Sequence, residues 1–170
     1  EAEGALAELA ARAGLETVIL RPPVVYGANP KANMLRLTQW IAGGVPLPLA
    51  LVRNRRSMVN LANLASAVIA CLTHPAAAGQ TYLISDRHDL STPQLIQMIA
   101  KALGRPARLW PMPVAALRLG GRLIGRGGDV ERLVDSLEID SSLIGRQLGW
   151  HPVQSPEKGI AMMVAGFQRR

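Results

Sequence analysis

The sequence predicts an α/β fold in which a few short parallel strands accompany a larger, mostly helical region. Two short runs rich in β-branched and apolar side chains, 17–20 and 81–85, have the character of buried strands. In other segments, apolar residues recur at helical spacing between glycine, proline or capping residues, which predicts helices around the strands. With 49% hydrophobic and 18% charged residues, the 170-residue chain is suited to one globular unit with a buried core.

The first elements predict a chain that opens inside a helix. The alanine-rich stretch 2–13 favours a helix, and Gly14 provides its C-terminal stop. The strand 17–20 follows and ends at the Arg-Pro-Pro run 21–23, after which we expect 24–27 to form a turn. Ligands of open α/β sheets collect at this carboxyl edge of the strands. An abrupt helical start is what we expect of a truncated chain.

The central region predicts three helices. Residues 34–42 suit the first helix, and the Gly/Pro-rich segment 43–49 after it is expected to be a loop. Ser91 and Gln94 form a capping box that starts the third helix. The second helix ends at 74–75, a His-Pro pair, and is predicted by apolar residues at helical spacing: Leu61, Leu64, Ala65, Val68, Ile69 and Leu72.

Two further helices are predicted towards the carboxyl end. Residues 114–124 favour an amphipathic helix in which arginines oppose leucine and isoleucine. Such a helix can lie on a membrane, but the two glycines at 120–121 weaken the helix. We therefore favour the interpretation that the arginines form the solvated face of a domain helix. Ser155 caps the last helix, with Pro156 at its first position.

Charge and apolar content limit the classes of function. A net charge of +7 and a pI near 10.7 fit nucleic acid, an anionic membrane surface or a phosphate-bearing small ligand. Few aromatic residues lie between the arginines, which argues against stacking on nucleic-acid bases. No apolar run reaches the roughly 18 residues that span a bilayer, and the acidic start is unlike a signal peptide. We therefore expect a cytoplasmic protein.

Several catalytic and cofactor-binding motifs are absent from the sequence. It contains neither Gly-x-Gly-x-x-Gly nor Gly-x-x-x-x-Gly-Lys, the loops that cradle phosphates. Neither tyrosine, Tyr26 or Tyr82, is followed by a lysine four residues later. The histidines are isolated, and Cys71 is the only cysteine and lies in an apolar stretch typical of a core. We therefore predict no catalytic residue and no metal site in this chain.

Four segments carry motifs that fit one known family. They are 20–27, 54–64, 79–86 with 90–92, and 140–142 with 148–152. The first is similar to R-P-x-x-V-Y-G, the second to R-x-x-V-x-V-x-D-L, and the last to D-x-S-K-A-x-x-x-L-G-W-x-P. Together they resemble the NAD-dependent nucleotide-sugar epimerase/dehydratase family of extended short-chain dehydrogenases. The resemblance is to UDP-glucose 4-epimerase-like members, in particular to a bacterial polysaccharide subgroup.

The resemblance implies that this chain is the C-terminal part of an extended Rossmann-type fold. Residues 1–27 would be the last helix and strand of the nucleotide-binding domain and 28–170 the substrate-binding region, with 81–85 returning to the parallel sheet. Ala2 and Glu3 match the pair that follows the family's catalytic lysine. The catalytic Tyr-x-x-x-Lys is therefore expected just upstream of Glu1, and this chain alone is expected to be inactive.

Roles for residues near the first strand are also implied by the resemblance. Pro22, Pro23 and Val24 would bring backbone close to the nicotinamide ring of the cofactor. Asn60 and Asn63 depart from the family, since many members have His and Asp there. Trp150, in the last motif, is expected to be a packing anchor.

The resemblance assigns the phosphate contacts to arginines, whose charged, forked side chains suit a pyrophosphate. Arg56 aligns with the family's phosphate-binding arginine, and Arg55 is the alternative register. Arg132 falls where a second phosphate arginine usually lies. The nucleotide and uracil contacts are assigned to Asn33, Met34, Pro48 and Leu49.

The implied function is the substrate-binding portion of an NAD-dependent UDP-sugar 4-epimerase that acts on UDP-hexose or UDP-N-acetylhexosamine in surface polysaccharide synthesis. Two alternatives stay open, a 4-keto reductase that makes a UDP-6-deoxy-N-acetylhexosamine and a non-catalytic UDP-sugar-binding fragment. The full-length enzyme would use NAD(P), which the fragment would not retain firmly. Partners would be a UDP-sugar and no nucleic acid. Because two lone strands expose sheet edges, we also expect pairing with another copy or with the missing N-terminal part.

Overall fold

The computed structural model describes residues 2–169, in which eight α-helices accompany two pairs of short parallel strands. The helices are α1 Ala2–Ala13, α2 Ala32–Ala42, α3 Leu61–Thr73, α4 Thr92–Ala102, α5 Val114–Leu123, α6 Gly127–Val134, α7 Ser142–Leu148 and α8 Pro156–Gln168. The strands are β1 Ile19–Arg21, β2 Val24–Tyr26, β3 Met58–Asn60 and β4 Thr81–Leu83. In this part of the chain, no helix combines the length and the hydropathy needed to cross a bilayer.

The strands form two separate parallel pairs. In the first, β1 pairs with β4 so that Ile19 lies opposite Thr81, which confirms the strands predicted at 17–20 and 81–85, although each has only three residues. In the second, β2 pairs with β3, and Val24 lies opposite Met58. The prediction of a turn at 24–27 was wrong. Prolines interrupt the ladder because they lack an N–H, but the extended chain resumes after them and β3 supplies its partner.

The apolar side chains form two cores. The larger core lies among α2, α4 and α8, where Ile96, Ile99 and Met163 are fully buried. The smaller core surrounds β4 and includes Trp150, which packs there as expected, and Cys71. The larger core supports the helices that line the main cavity.

Helix α3 buries a different face from the one that its apolar stripe suggests. The buried residues are Asn63, Ala67 and Cys71. The stripe that predicts the helix points outward, and Leu72 is 80% exposed. The helix itself is correctly predicted, but its most hydrophobic surface is uncovered in this chain.

The predicted helix caps are present. The Ser91 hydroxyl accepts a hydrogen bond from the Gln94 N–H at 3.3 Å, and the Gln94 side chain accepts one from the Ser91 N–H at 2.8 Å. Ser155 caps α8 by accepting from the Lys158 N–H at 3.4 Å. These caps fix the starts of α4 and α8, and the start of α4 forms part of the cavity wall.

Candidate functional site: an arginine-lined cavity

A cavity of about 580 Å³ opens where β2 and β3 begin, just beyond the carboxyl end of β1. Val24 and Met58, which pair across these strands, form part of its base. Its walls come from α2, from the start of α4 and from α6 with the segment before it. The other lining residues are Asn33, Met34, Arg36, Leu37, Trp40, Arg56, Leu90, Ser91, Thr92, Leu95, Ile124, Arg126, Asp129, Val130, Arg132 and Leu133.

The ionisable side chains around the cavity are mainly cationic. Four arginines, Arg36, Arg56, Arg126 and Arg132, line it together with a single carboxylate, Asp129. Asp129 lies 3.6 Å from the Arg132 guanidinium and compensates part of this charge. The remaining walls are mostly apolar. A cavity of this composition favours a ligand that combines negative charge with flat or apolar groups.

Arg56 is held at the cavity by its backbone and by its side chain. Its N–H donates to the Leu90 carbonyl at 3.0 Å, and its own carbonyl accepts from the Leu90 N–H at 3.1 Å. Its Nη1 donates to the Arg132 carbonyl and, at 3.3 Å, to the Asp135 carbonyl. Burial lowers the pKa of Arg56, but an arginine starts so far above neutrality that it stays charged.

Arg55, the alternative candidate for the phosphate-binding arginine, is bound to two carboxylates away from the cavity. Its Nε donates to Glu138 at 2.8 Å, and its Nη2 donates to Asp89 at 3.0 Å. These two carboxylates raise the pKa of Arg55, the hydrogen bond to Asp89 having the largest effect. Arg55 is not among the cavity-lining residues. Of the two arginines, the structure places Arg56 at the cavity.

The wall formed by α6 is fastened to α4 by the buried side chain of Asn54. Its Nδ2 donates to Thr92 Oγ1 at 3.0 Å and to the carbonyls of Leu133 and Asp135, each at 3.2 Å. Its Oδ1 accepts from the Thr92 N–H at 2.8 Å. The Thr92 hydroxyl completes the link by donating to the Leu133 carbonyl at 2.6 Å. Asn54 therefore fixes the helix that carries Asp129 and Arg132.

Helix α2 brings further residues to the cavity. Asn33 and Met34, both predicted nucleotide contacts, lie in its first turn and line the cavity. Arg36 and Trp40 are one helical turn apart, and the Arg36 guanidinium lies 5.6 Å from the centre of the Trp40 ring. This distance fits a cation–π contact, which fixes a cation and an aromatic surface together at the cavity wall.

The other predicted site residues are not brought to the cavity. Pro22 and Pro23 connect β1 to β2, and of the predicted cofactor contacts only Val24 lines the cavity. Pro48 and Leu49 lie in a loop whose neighbour Leu47 pairs with the strand-like segment 108–110, and Leu49 is buried in the larger core. The structure thus separates the two expected uracil contacts from the arginines.

Four charged or aromatic residues of the cavity were not predicted. Arg36, Trp40, Arg126 and Asp129 all line it. Their sequence signals are weak, since an Arg and a Trp four residues apart on one helix are common on solvated faces. The glycine-rich run 125–128, which contains Arg126, indicates a turn, but not which surface that turn contacts.

A second polar cluster is buried beside β2 and has a structural role. Tyr26 donates its hydroxyl to Asp86 Oδ2 at 2.7 Å. Asp86 Oδ1 accepts from the Asn60 N–H at 2.9 Å and from Asn63 Nδ2 at 2.7 Å. Burial, together with the nearby Asp86 carboxylate, raises the pKa of Tyr26 far above its usual range. This phenol stays protonated and is therefore unsuited to act as a base.

The two asparagines that depart from the family pattern both have structural roles here. Asn60 caps α3 by accepting from the Ala62 N–H at 2.8 Å. Asn63 also accepts from the N–H groups of Val153 and Gln154, at 2.9 and 2.8 Å. Within residues 2–169, no group of three or more His, Cys, Asp or Glu is placed to hold a metal ion.

Comparisons with known proteins point to sugar epimerases. No protein-family model matches the chain. A UDP-glucose 4-epimerase of Vibrio cholerae is 38% identical over 168 residues, which are 98% of this chain and 51% of that protein. The structure of a nucleoside-diphosphate-sugar epimerase from Pseudomonas aeruginosa is 25% identical, with a TM-score of 0.69, over 97% of this chain and 53% of that one.

A third comparison adds a ligand-bound structure. The UDP-glucose 4-epimerase of Bifidobacterium longum, solved with NAD+ and UDP, is 19% identical with a TM-score of 0.68, and the match covers 98% of this chain and 52% of that one. At this identity the likeness concerns the fold. This chain spans about half the length of each of these relatives.

Proposed function

Because the chain is homologous to UDP-glucose 4-epimerase and related NAD-dependent sugar epimerases and dehydratases, we propose that it is the substrate-binding portion of a UDP-sugar 4-epimerase. The substrate would be a UDP-hexose or UDP-N-acetylhexosamine used in surface polysaccharide synthesis. The observation that carries the proposal is the cavity in which Arg56, Arg126 and Arg132 meet beside apolar walls. The substrate-binding region would comprise residues 28–170, with 1–27 belonging to the nucleotide-binding domain.

The arginines would bind the pyrophosphate. Guanidinium groups donate paired, charge-assisted hydrogen bonds to phosphate oxygens, and such bonds are about twice as strong as neutral ones. Arg56 is already oriented by two carbonyls, so little side-chain freedom is lost when it binds. Arg126 and Arg132 lie on the same wall and would share the second phosphate.

The nucleoside would lie along α2. Asn33 offers an amide for hydrogen bonding and Met34 an apolar contact, and both line the cavity. Pro48 and Leu49 do not line it, so the proposal rests on α2 for the nucleotide contacts. The exposed ring of Trp40, at the same wall, adds a flat surface of the kind that nucleoside bases stack on.

The cofactor of the family is NAD(P), whose nicotinamide ring accepts and returns a hydride when bound. This chain fits only the ring end of such a cofactor. Val24 is 37% exposed at the cavity edge and presents an apolar surface suited to a ring. The glycine loop that would hold the cofactor's phosphates is absent from the sequence. The catalytic Tyr-x-x-x-Lys and that loop would belong to another part of a longer protein.

The proposed reaction is tested by incubating the longer protein with UDP-N-acetylglucosamine and trace NAD. Formation of the 4-epimer without net consumption of NADH is the expected result for an epimerase. Stoichiometric consumption of NAD(P)H with a 4-keto sugar would instead identify the reductase. Failure of the 170-residue chain to bind UDP in calorimetry would contradict a substrate-binding role for it.

The exposed face of α3 would be covered by more protein. The helix contains no charged residue, and Leu61, Ile69 and Leu72 are more than half exposed along it. Such uncharged apolar surfaces are typical of the centres of protein interfaces. The short sheets beside it also have unpaired edges. We therefore propose that this face packs against the nucleotide-binding part of a longer protein or against a second copy.

A further inference from the structure

Helix α5 has an apolar surface on each of two sides. Its inner side packs on α6 through Val130, which approaches Gly121, the buried residue of α5. On its outer side, Leu119 and Leu123 are 61% and 78% exposed and lie one helical turn apart. Ile124, the next residue, is 71% exposed. These three residues, Leu119, Leu123 and Ile124, form what we call the outer apolar patch.

Arginines border the outer apolar patch. Arg118 and Arg122 are one turn apart on α5 and directly precede Leu119 and Leu123, and Arg126 follows Ile124. Arg118 is paired with Asp135 at 2.6 Å. In the described residues, Arg122 and Arg126 form no ion pair, and both are exposed. The patch therefore combines exposed large apolar side chains with uncompensated positive charge.

The charge distinguishes this patch from the face of α3. The α3 face has no charged residue, as expected of a surface that packs on protein. A symmetric contact between two copies through the outer apolar patch would bring two surfaces with the same unpaired arginines together, which like-charge repulsion disfavours. Apolar side chains flanked by arginines match instead a bilayer with anionic headgroups, which accepts the leucines and neutralises the cations.

We propose that the outer apolar patch of α5, with Arg122 and Arg126, docks this protein on an anionic membrane surface. The helix would lie in the interface plane and not cross it. Ile124 and Arg126 also line the arginine-lined cavity, so docking would place the entrance of that cavity at the headgroups. The proposal can be tested independently of the substrate through Leu119, Arg122 and Leu123, which do not line the cavity.

The glycine pair in α5 does not weaken this proposal. A side chain at Gly121 would approach Val130 Cγ2 to 2.6 Å, so a glycine is needed there for the two helices to pack. Helix α5 nevertheless continues through both glycines to Leu123. The leucines that would enter the bilayer are thus held on a regular helix.

The test is sedimentation of the chain with vesicles of equal phosphatidylcholine and phosphatidylglycerol, compared with vesicles of phosphatidylcholine alone. We expect binding to the anionic vesicles that weakens as salt rises from about 0.1 to 1 M. The double variant L119S/L123S should bind about tenfold more weakly or worse, and R122Q about fivefold more weakly. The matched control is L72S on α3, which should bind like the parent.

Three results would overturn the proposal. They are the absence of binding to anionic vesicles, equal binding by L119S/L123S, and loss of vesicle binding in L72S alone. Light scattering of the same variants adds a check, because a change from dimer to monomer in L119S/L123S would assign the patch to a second copy. Since Leu119, Leu123 and Arg122 are exposed, circular dichroism should show unchanged folding. None of these three residues lines the cavity, so the variants should bind UDP like the parent, which is a separate control.

Discussion

Two adjacent arginines, Arg55 and Arg56, have opposite surroundings. Arg55 is exposed and paired with carboxylates, whereas Arg56 is half-buried and bonded to carbonyls of the chain around α6. The backbone of Arg56 pairs with Leu90 on one side and with Leu137 on the other. Because successive side chains of an extended chain point to opposite faces, this pairing directs Arg55 and Arg56 in opposite directions. A one-residue shift of register would exchange the two guanidinium groups.

Replacing Arg56 by Ala should weaken UDP binding by roughly 10- to 150-fold, since hydrogen bonds to charged groups contribute about 1.5–3 kcal/mol. R55A is the matched control and should change the dissociation constant less than about twofold, because an exposed ion pair contributes little. Calorimetric titration with UDP measures both. Equal effects of the two substitutions would mean that the phosphates bind outside the cavity.

Tyr26 links the free energy of unfolding to alkaline pH. Its pKa is raised in the folded protein, so the folded state keeps the phenol proton where the unfolded chain begins to lose it, near pH 10. The contribution of this raised pKa to the free energy of unfolding is complete below that pH and declines as the pH rises above it. Tyr26→Phe should remove this contribution. Because it leaves Asp86 Oδ2 without its donor, it should also lower the free energy of unfolding by about 1–3 kcal/mol at neutral pH.

Urea unfolding between pH 7 and 11 measures both effects of Tyr26→Phe. Tyr82→Phe is the control, since the Tyr82 hydroxyl bonds to the exposed Gln147 and not to a buried carboxylate. Tyr26→Phe should flatten the alkaline decline more than Tyr82→Phe does. The same alkaline slope in the parent and in Tyr26→Phe would contradict the structural role of this phenol.

The sequence identifies cavity residues only where a local motif carries them. Arg56 lies in a recognisable segment, and Asn33 and Met34 start a predictable helix. Arg126 and Trp40 reach the cavity through the packing of α6 and α2, which depends on contacts between distant residues such as Asn54 and Leu133. No local pattern of residues encodes contacts of that kind.

At the scale of elements, α5 and α6 form a pair that packs more closely with each other than with the rest of the molecule. Gly121 makes this contact possible, because a Cβ atom there would meet Val130, whose branched side chain has little freedom to move. The pair and the turn between its helices carry two of the four cavity arginines, Arg126 and Arg132, and also the outer apolar patch. Its internal packing therefore affects both surfaces.

Gly121→Ala should destabilise this helix pair. Overpacking costs about 1–3 kcal/mol, and the added Cβ atom would lie only 2.6 Å from Val130 Cγ2, so we expect this cost to outweigh the roughly 1 kcal/mol gained from better helix propensity. Gly120→Ala is the matched control, because no atom lies within 4 Å of the position that its added methyl group would occupy, and the propensity gain should raise stability by about 1 kcal/mol. Urea unfolding followed by circular dichroism compares them. A stabilised Gly121→Ala protein would show that the helices do not pack this closely.

The periodicity of apolar residues predicts which segments are helices better than it predicts which elements pack or pair with one another. Helices α2, α3, α4, α5 and α8 follow from apolar spacing and caps, whereas the two prolines before β2 predict a turn where the chain is in fact extended. A three-residue strand has too little sequence to reveal its partner, and β3 lies more than thirty positions later. In α3 the spacing gave the helix, but not which of its faces is covered within this chain.

For the whole molecule, two exposed apolar surfaces have different expected partners. Ile69 and Leu72 of α3 are 61% and 80% exposed. Substituting both by Ser should reduce association with protein, because the interface would then bury less apolar surface. Light scattering should show a smaller mass for I69S/L72S, and L119S/L123S should leave the mass unchanged. A monodisperse monomer of the parent chain at all concentrations would contradict self-association through α3.

The hydrogen bonds of Arg56 have a consequence for energetics. One nitrogen of its guanidinium bonds to carbonyls at the end of α6, so a phosphate bound to Arg56 would share this cation with α6. Any ligand that orders Arg56 should also slow hydrogen–deuterium exchange of the α6 amides. By reciprocity, a change that loosens α6 must lower ligand affinity by the factor by which the ligand steadies the helix. Exchange rates at α6 would thus report whether the cavity is occupied.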